Sequence, residues 1–351
     1  MKMSPEYMAD LHMFLFKNTG DITALKGRAA EHIKYIPRKK LYRYRKYSER
    51  EISILRQNKI WLASPSSFPD MFDATIPMQD DTYVDFWYSA FFTFELAYIA
   101  IEKVGTPNGQ IPDKEWFFHE LMEVMKAYTP EEIAAEAKSL LGDDLYKKSH
   151  EIFIPNEIIQ PKIEMLTSFL KDLSVSPRHS LAITSFSAKK DNRNLWENYA
   201  DYYTGFCIEY DLSKAMSDSS SKGAWDILHI LPISYCAKRP VFDSTSLLRR
   251  IVQAELKISK LSLGDDFLQQ YYRAITAKQY DYRAEDEWRI ILSEAYIGEY
   301  GFPYISNLII GKDMSEDNIQ VMRKVASELS VPLLKQTLSA DRTTFTYSPC
   351  K

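Results

Sequence analysis

Three pairs of like residues, each pair two positions apart, are the most suggestive chemistry in this 351-residue chain. The first is Arg43 and Arg45, in Leu41-Tyr42-Arg43-Tyr44-Arg45-Lys46. On a strand, alternate residues face opposite ways, so the arginines share one face and Tyr42 and Tyr44 the other. Two guanidinium forks side by side suit a diphosphate or a carboxylate, whereas a solvated edge strand defended by charge has the same pattern. Ser185 and Ser187, in Ile183-Thr184-Ser185-Phe186-Ser187, form the second pair. Their hydroxyls can orient a carboxylate or a sugar, or close local backbone bonds. Third come Glu285 and Glu287, in Arg283-Ala284-Glu285-Asp286-Glu287-Trp288-Arg289, where Arg289 shares their parity and Trp288, Ile290 and Leu292 face the core. Like-charged carboxylates raise one another's pKa, so one can hold a hydroxyl while the other assists a leaving group or nucleophile. An ion-paired strand end, Glu287 with Arg289, is the plainer reading. A fourth segment, from Ala63 to Asp73, holds Asp70 and Asp73 in a long turn. These could bind a metal or a ribose, or satisfy the turn's own backbone.

The elements that must position these residues read as follows. Strands are expected over 40–44, 60–63, 181–187, 205–210, 231–235, 287–292 and 305–310, with helices over 48–58 and 315–329. Asp191-Asn192 caps a short helix through Leu195-Trp196-Glu197-Asn198-Tyr199-Ala200. Residues 79 to 175 read as helical, with Thr129-Pro130-Glu131-Glu132 as a capping box and a further helix starting near Asn156. The expected fold class is therefore α+β, a mixed strand-rich core interrupted by a helical insertion. The expected layout is a helical extension over 1–36, core over 37–78, insertion over 79–175 and core again over 176–351. The polar stretch 217–222 is expected to be a loop.

Composition narrows the chemistry. With 44 Lys+Arg against 48 Asp+Glu, the net charge of −4 gives no general attraction to nucleic acid or anionic membrane. Only 11 glycines are present, with no P-loop and no G-x-G-x-x-G. Cys207, Cys236 and Cys350 form no C-x-x-C, and Cys207 reads as a small hydrophobe. The six histidines are dispersed without ligand spacing, so no metal is expected. The apolar window 84–101 has the length of a membrane span, but Asp85 and Glu95 interrupt it, so it reads as a buried helix. The first eleven residues lack the apolar run of a signal peptide, and the expected location is cytoplasmic, with no membrane partner.

Taken in order, Leu-Tyr-Arg-Tyr-Arg, Ser-Pro-Ser-Ser-Phe-x-Asp-x-Phe-Asp, Ser-Phe-Ser, Leu-Trp-x-x-Tyr-Ala, Gly-Phe-Cys-Ile-Glu-Tyr, Glu-x-Glu-Trp-Arg and Ile-Ile-Gly-Lys resemble a bacterial family of unknown function, numbered 2971. These motifs cover 41–73 and 181–312. The order strand-Arg, Ser-x-Ser, Glu-x-Glu is also similar to the Arg–Ser–Glu class of ADP-ribosyltransferases, although Ser-Phe-Ser has an aromatic centre where the class has a polar one. That resemblance implies an ADP-ribosyltransferase-like fold and NAD as substrate. Arg43 or Arg45 would hold phosphates or ribose, with Ser187 beside them. Ser185 would orient the site. Glu287 would grip the nicotinamide ribose and stabilise positive charge as nicotinamide leaves, and Glu285 would act on the acceptor. Tyr44 or Trp196 would stack on nicotinamide.

Three functions stay open. One is an NAD-dependent ADP-ribosyltransferase or NAD glycohydrolase with an unidentified protein or nucleic-acid acceptor, of the kind used as a bacterial toxin or phage-defence effector. Another is a non-enzymatic binding or sensor module of a defence or toxin–antitoxin system. The third is a metal-dependent nuclease built on Asp243, Glu255 and Lys257. Its motif needs a strand where 246–261 reads as a helix.

Overall fold

The structure is a computed structural model. It describes residues 20–78, 156–217, 220–244 and 264–350, with isolated positions before residue 20 and at 247 and 250. Two compact units divide the chain: residues 1–76, 175–240 and 271–351 form one, and 77–174 with 241–270 form the other.

The first unit is built on an eight-stranded sheet. Its strands are β1 (Lys40–Arg45), β3 (Leu181–Ser187), β4 (Phe206–Asp211), β5 (Ile230–Pro232), β8 (Glu287–Ser293), β10 (Ile305–Ile310), β11 (Leu333–Leu338) and β12 (Phe345–Pro349). The order across the sheet is β12-β11-β10-β4-β1-β3-β8-β5, and only the β10–β11 pair is parallel. Two small sheets accompany it: β2 (Lys59–Leu62) with β9 (Gly298–Gly301), antiparallel, and β6 (Ser234–Cys236) with β7 (Ala277–Gln279), parallel. With helices around a large mixed sheet, the fold class is α+β.

Local sequence explains most of these elements. Helix α1 (Ile22–His32) starts at Asp21, whose carboxylate accepts from the Ala24 N–H. Ser48 caps α2 (Glu49–Arg56), which has Glu49 and Glu51 in its first turn and Arg56 in its last. In the second unit, α3 (Asn156–Val175) begins where the sequence places it. Asn192 caps α4 (Arg193–Asn198), and Ser315 caps α7 (Glu316–Glu328) through the Asn318 N–H. Between them lie, among others, α5 (Lys222–Leu228), which begins at the end of the expected polar loop, and α6 (Gly264–Ile275).

Two expectations change. The strand over 231–235 is broken: Pro232 ends β5 at the sheet edge without an N–H to donate, and the chain crosses to β6. The segment 41–46 is no edge strand, because β1 lies inside the sheet between β4 and β3 and buries Leu41 to Tyr44. Most of the stretch 79–175, including the capping box at Thr129 and the window 84–101, lies outside the described residues.

β1 and β4 pair along their whole length, Lys40 with Asp211 through Arg45 with Phe206. Their close start depends on Gly205, where a Cβ would stand 2.3 Å from the Arg45 carbonyl oxygen. On its other side β1 meets β3 only at Tyr42 and Ser187. Beyond that point Ile183 pairs with Ala63 instead. The sheet is therefore split between β1 and β3.

Candidate functional site

A cavity of about 380 Å³ opens at this split, within the range of small-molecule sites. All its lining residues belong to the first unit. Seven of the eight residues that the Arg–Ser–Glu resemblance assigns line it: Arg43, Tyr44, Arg45, Ser185, Ser187, Glu285 and Glu287. Trp196 does not; it is fully buried, donates its indole N–H to the Lys190 carbonyl and packs edge-on against Tyr44.

The β1 wall is cationic. Arg43 is 3% exposed. Its one hydrogen bond runs from Nη2 to the Trp61 carbonyl at 3.3 Å, and its Nε is buried without a partner. Among the described residues no carboxylate pairs with it. A buried cation in that state is costly unless an anion joins it. Arg45 is partly balanced by Glu51 at 3.3 Å. Arg50 stacks over the Trp61 ring at 4.1 Å, a plate in the cavity wall.

The β8 wall is a chain of buried ion pairs. Arg289 clamps Asp73 with both terminal nitrogens at 2.7 Å, and its Nε donates to Glu287 Oε1, also at 2.7 Å. Lys278 on β7 donates to Glu287 Oε2 at 3.0 Å and to Glu285 Oε2 at 2.7 Å. Three carboxylates stand against two cations in this wall. Burial alone would raise the Glu287 pKa, but Arg289, Lys278 and a hydrogen bond from Ser185 bring it down to about 2. Burial raises the Glu285 pKa, and Lys278 offsets only part of that. For Lys278 and Arg289 the order is reversed: the carboxylates outweigh the burial that would lower their pKa, and both stay protonated.

The two serines part company. Ser185 is exposed and reaches the Glu287 carboxylate. Ser187 is fully buried; its hydroxyl donates to the Glu285 carbonyl at 2.7 Å and accepts from the Lys189 N–H. It therefore closes the backbone and fixes where Glu285 sits. Tyr44 is also committed inward. Its hydroxyl donates to the Lys189 carbonyl at 2.6 Å, its ring lies against Trp196, and burial raises its pKa. The open rings on the cavity wall are those of Tyr199, 50% exposed, and Tyr282, 36% exposed.

The acidic turn divides likewise. Asp70 accepts from the Phe72 N–H and so supports its own turn, while Asp73 is held by Arg289. Arg178 ties the Asp70 and Asp73 carbonyls at 2.9 Å, which fixes the turn from outside. No group of three or more His, Cys, Asp or Glu side chains among the described residues could hold a metal ion. Glu255 and Lys257 of the nuclease reading lie outside the described residues. Also among the described residues, no helix is long and apolar enough to cross a membrane.

Sequence reasoning missed Lys278, Tyr199 and Tyr282, and it missed Asp73 as the partner of Arg289. One signal for Lys278 existed: two glutamates and one arginine cannot all be buried at Glu285–Arg289 without a further cation.

The model of the family described as "Protein of unknown function (DUF2971)" matches residues 195–290. The match takes in Tyr199, Lys278, Glu285, Glu287 and Arg289, and it leaves out β1 and Ser185. No curated protein and no solved structure matches the chain.

Proposed function

We propose that the cavity binds NAD and cleaves its nicotinamide–ribose bond, passing the ADP-ribosyl group to water or to a protein or nucleic-acid acceptor. One observation carries the reading: a single cavity joins a buried arginine that has no carboxylate partner among the described residues to a wall in which three carboxylates stand against two cations. A ligand that suits both has an anionic part and a cationic part, as the pyrophosphate and pyridinium of NAD are. The Arg–Ser–Glu resemblance assigns the same residues.

In this reading Arg43 and Arg45 hold the pyrophosphate. The C1′–N bond breaks with its electron pair leaving on nicotinamide, which departs neutral. Positive charge then develops on the ribose, and the ionised Glu287 wall stabilises it. The acceptor oxygen or nitrogen bonds to C1′, and its proton passes to Glu285. Oε1 of Glu285 has no hydrogen-bond partner among the described residues and is open to receive it. Tyr199 and Tyr282 offer the stacking faces.

A second reading, a binding or sensor module without catalysis, is favoured by the state of Glu287. Both of its oxygens are already held, by Arg289 and Lys278. Nicotinamide release separates the two. Wild-type protein incubated with NAD is expected to release nicotinamide, and a folded Glu287→Gln variant is expected to lose at least ~100-fold. A wild type that binds NAD and releases none is a binding module.

A further inference from the structure

Glu285 and Glu287 are two carboxylates brought to one wall, and such pairs ordinarily share a proton, because two like charges close together cannot both ionise freely. Here a third group stands between them. Lys278 Nζ lies 2.7 Å from Glu285 Oε2 and 3.0 Å from Glu287 Oε2. The lysine is 7% exposed, and its ammonium also lies 4.6 Å from the centre of the Tyr282 ring. It comes from β7, a three-residue strand held to β6 by the register Tyr235 with Lys278. The Tyr235 hydroxyl accepts from the Glu287 N–H at 2.8 Å, so the strand that carries the lysine is anchored to the residue it neutralises.

Resting on the reading above, we infer that Lys278 is a positioning residue that keeps Glu285 and Glu287 ionised together, so that Glu285 works as a base toward the acceptor while Glu287 keeps its charge for the ribose. Arg289 cannot do this alone. Its Nε reaches Glu287 and its other two nitrogens are taken by Asp73, so nothing from it hydrogen-bonds to Glu285. The lysine is not itself the nucleophile, since the two carboxylates hold it protonated.

The other groups facing the trio leave this role to Lys278. Arg289 and Asp73 neutralise one another within their clamp. Tyr199 and Tyr235, both pushed up by burial, stay neutral, and Tyr282 presents its ring. On the same stretch, Asp286 turns to Lys189 at 3.2 Å and Arg283 stacks on Tyr280.

The test is a carbon-13 titration of the glutamate carboxylates in full-length protein, without NAD. In Lys278→Met, one carboxylate of the pair is expected to titrate about one pH unit or more above its wild-type midpoint. Lys278→Arg is expected to restore the wild-type midpoint. The double variant Lys278→Met with Glu285→Gln removes the like charge along with the cation, so Glu287 should again titrate as in wild type; it also serves if the single variant does not fold. Should the Lys278→Met midpoint stay at the wild-type value, or Glu287 titrate high in the double variant, the inference is overturned. The acid limb of nicotinamide release should move with the carboxylate midpoint. The titration needs no turnover, so a protein that never cleaves NAD fails the functional reading alone.

Discussion

The two walls of the cavity both bury arginine, with opposite outcomes. On β8, Arg289 is 1% exposed and every nitrogen of its guanidinium is matched by a carboxylate oxygen. On β1, Arg43 is 3% exposed and has one long bond to a carbonyl. A guanidinium matched within the chain is part of the fold. One left unmatched beside an open cavity is poised for something outside the chain. The difference lies in the neighbours: the turn after β2 delivers Asp73 to Arg289, while the same strand delivers only the Trp61 carbonyl to Arg43.

Stability should separate the walls most sharply. Arg289→Met leaves Asp73 and Glu287 buried with too little positive charge, and a loss of about 3–5 kcal/mol is expected from urea unfolding. Arg43→Met removes an unmatched buried cation and should change stability by no more than about 1 kcal/mol, in either direction. Equal losses would erase the distinction between the walls.

Acid sensitivity sharpens the comparison from outside the cavity. Glu287 is held to about 2, so its contribution is fully present above its unfolded value and fades only as pH falls toward that range. His32 behaves differently. It is fully buried; its Nε2 donates to the Ile230 carbonyl at 2.9 Å, and Nδ1 accepts from Tyr7. Burial lowers its pKa to about 4. The neutral ring stabilises the fold above the unfolded value of ~6.5, and that stability is lost as pH falls from there toward 4. The loss reaches about 3 kcal/mol, read as a falling melting temperature. His32→Gln should flatten the slope in that window; an unchanged slope would move the acid-labile point elsewhere.

The smallest effect is expected at Ser185. Its hydroxyl faces a carboxylate that already has two cations. Ser185→Ala should slow nicotinamide release about tenfold, near 1.4 kcal/mol, with binding of NAD little changed.

Much of this arrangement was legible in the sequence, and the illegible part has one physical cause. Alternation placed β1, β3 and β8, apolar spacing placed the helices that start at Ser48 and Ser315, and a side-chain cap placed Asn192, because these signals act within a few residues. The split between β1 and β3 is different: Arg43 and Glu287 come to one cavity only through sheet order, which local pattern does not encode. Asp73 and Arg289 pair across 216 positions. Lys278 sits on a three-residue strand too short to show a period, and its position is set by its pairing with β6. Trp196 misled for a related reason. Beside motif residues it looks like a stacking platform, yet it fills the core with Tyr44, Leu195 and Cys207.

The division of labour between the walls is tested most directly by titrating ADP-ribose, which has the pyrophosphate without the nicotinamide, into three proteins by calorimetry. Wild type is expected to bind. Arg43→Ala should weaken binding by about tenfold or more, and Glu287→Gln should stay within a few-fold of wild type. No binding by wild type, or loss in Glu287→Gln with Arg43→Ala unaffected, would contradict the account.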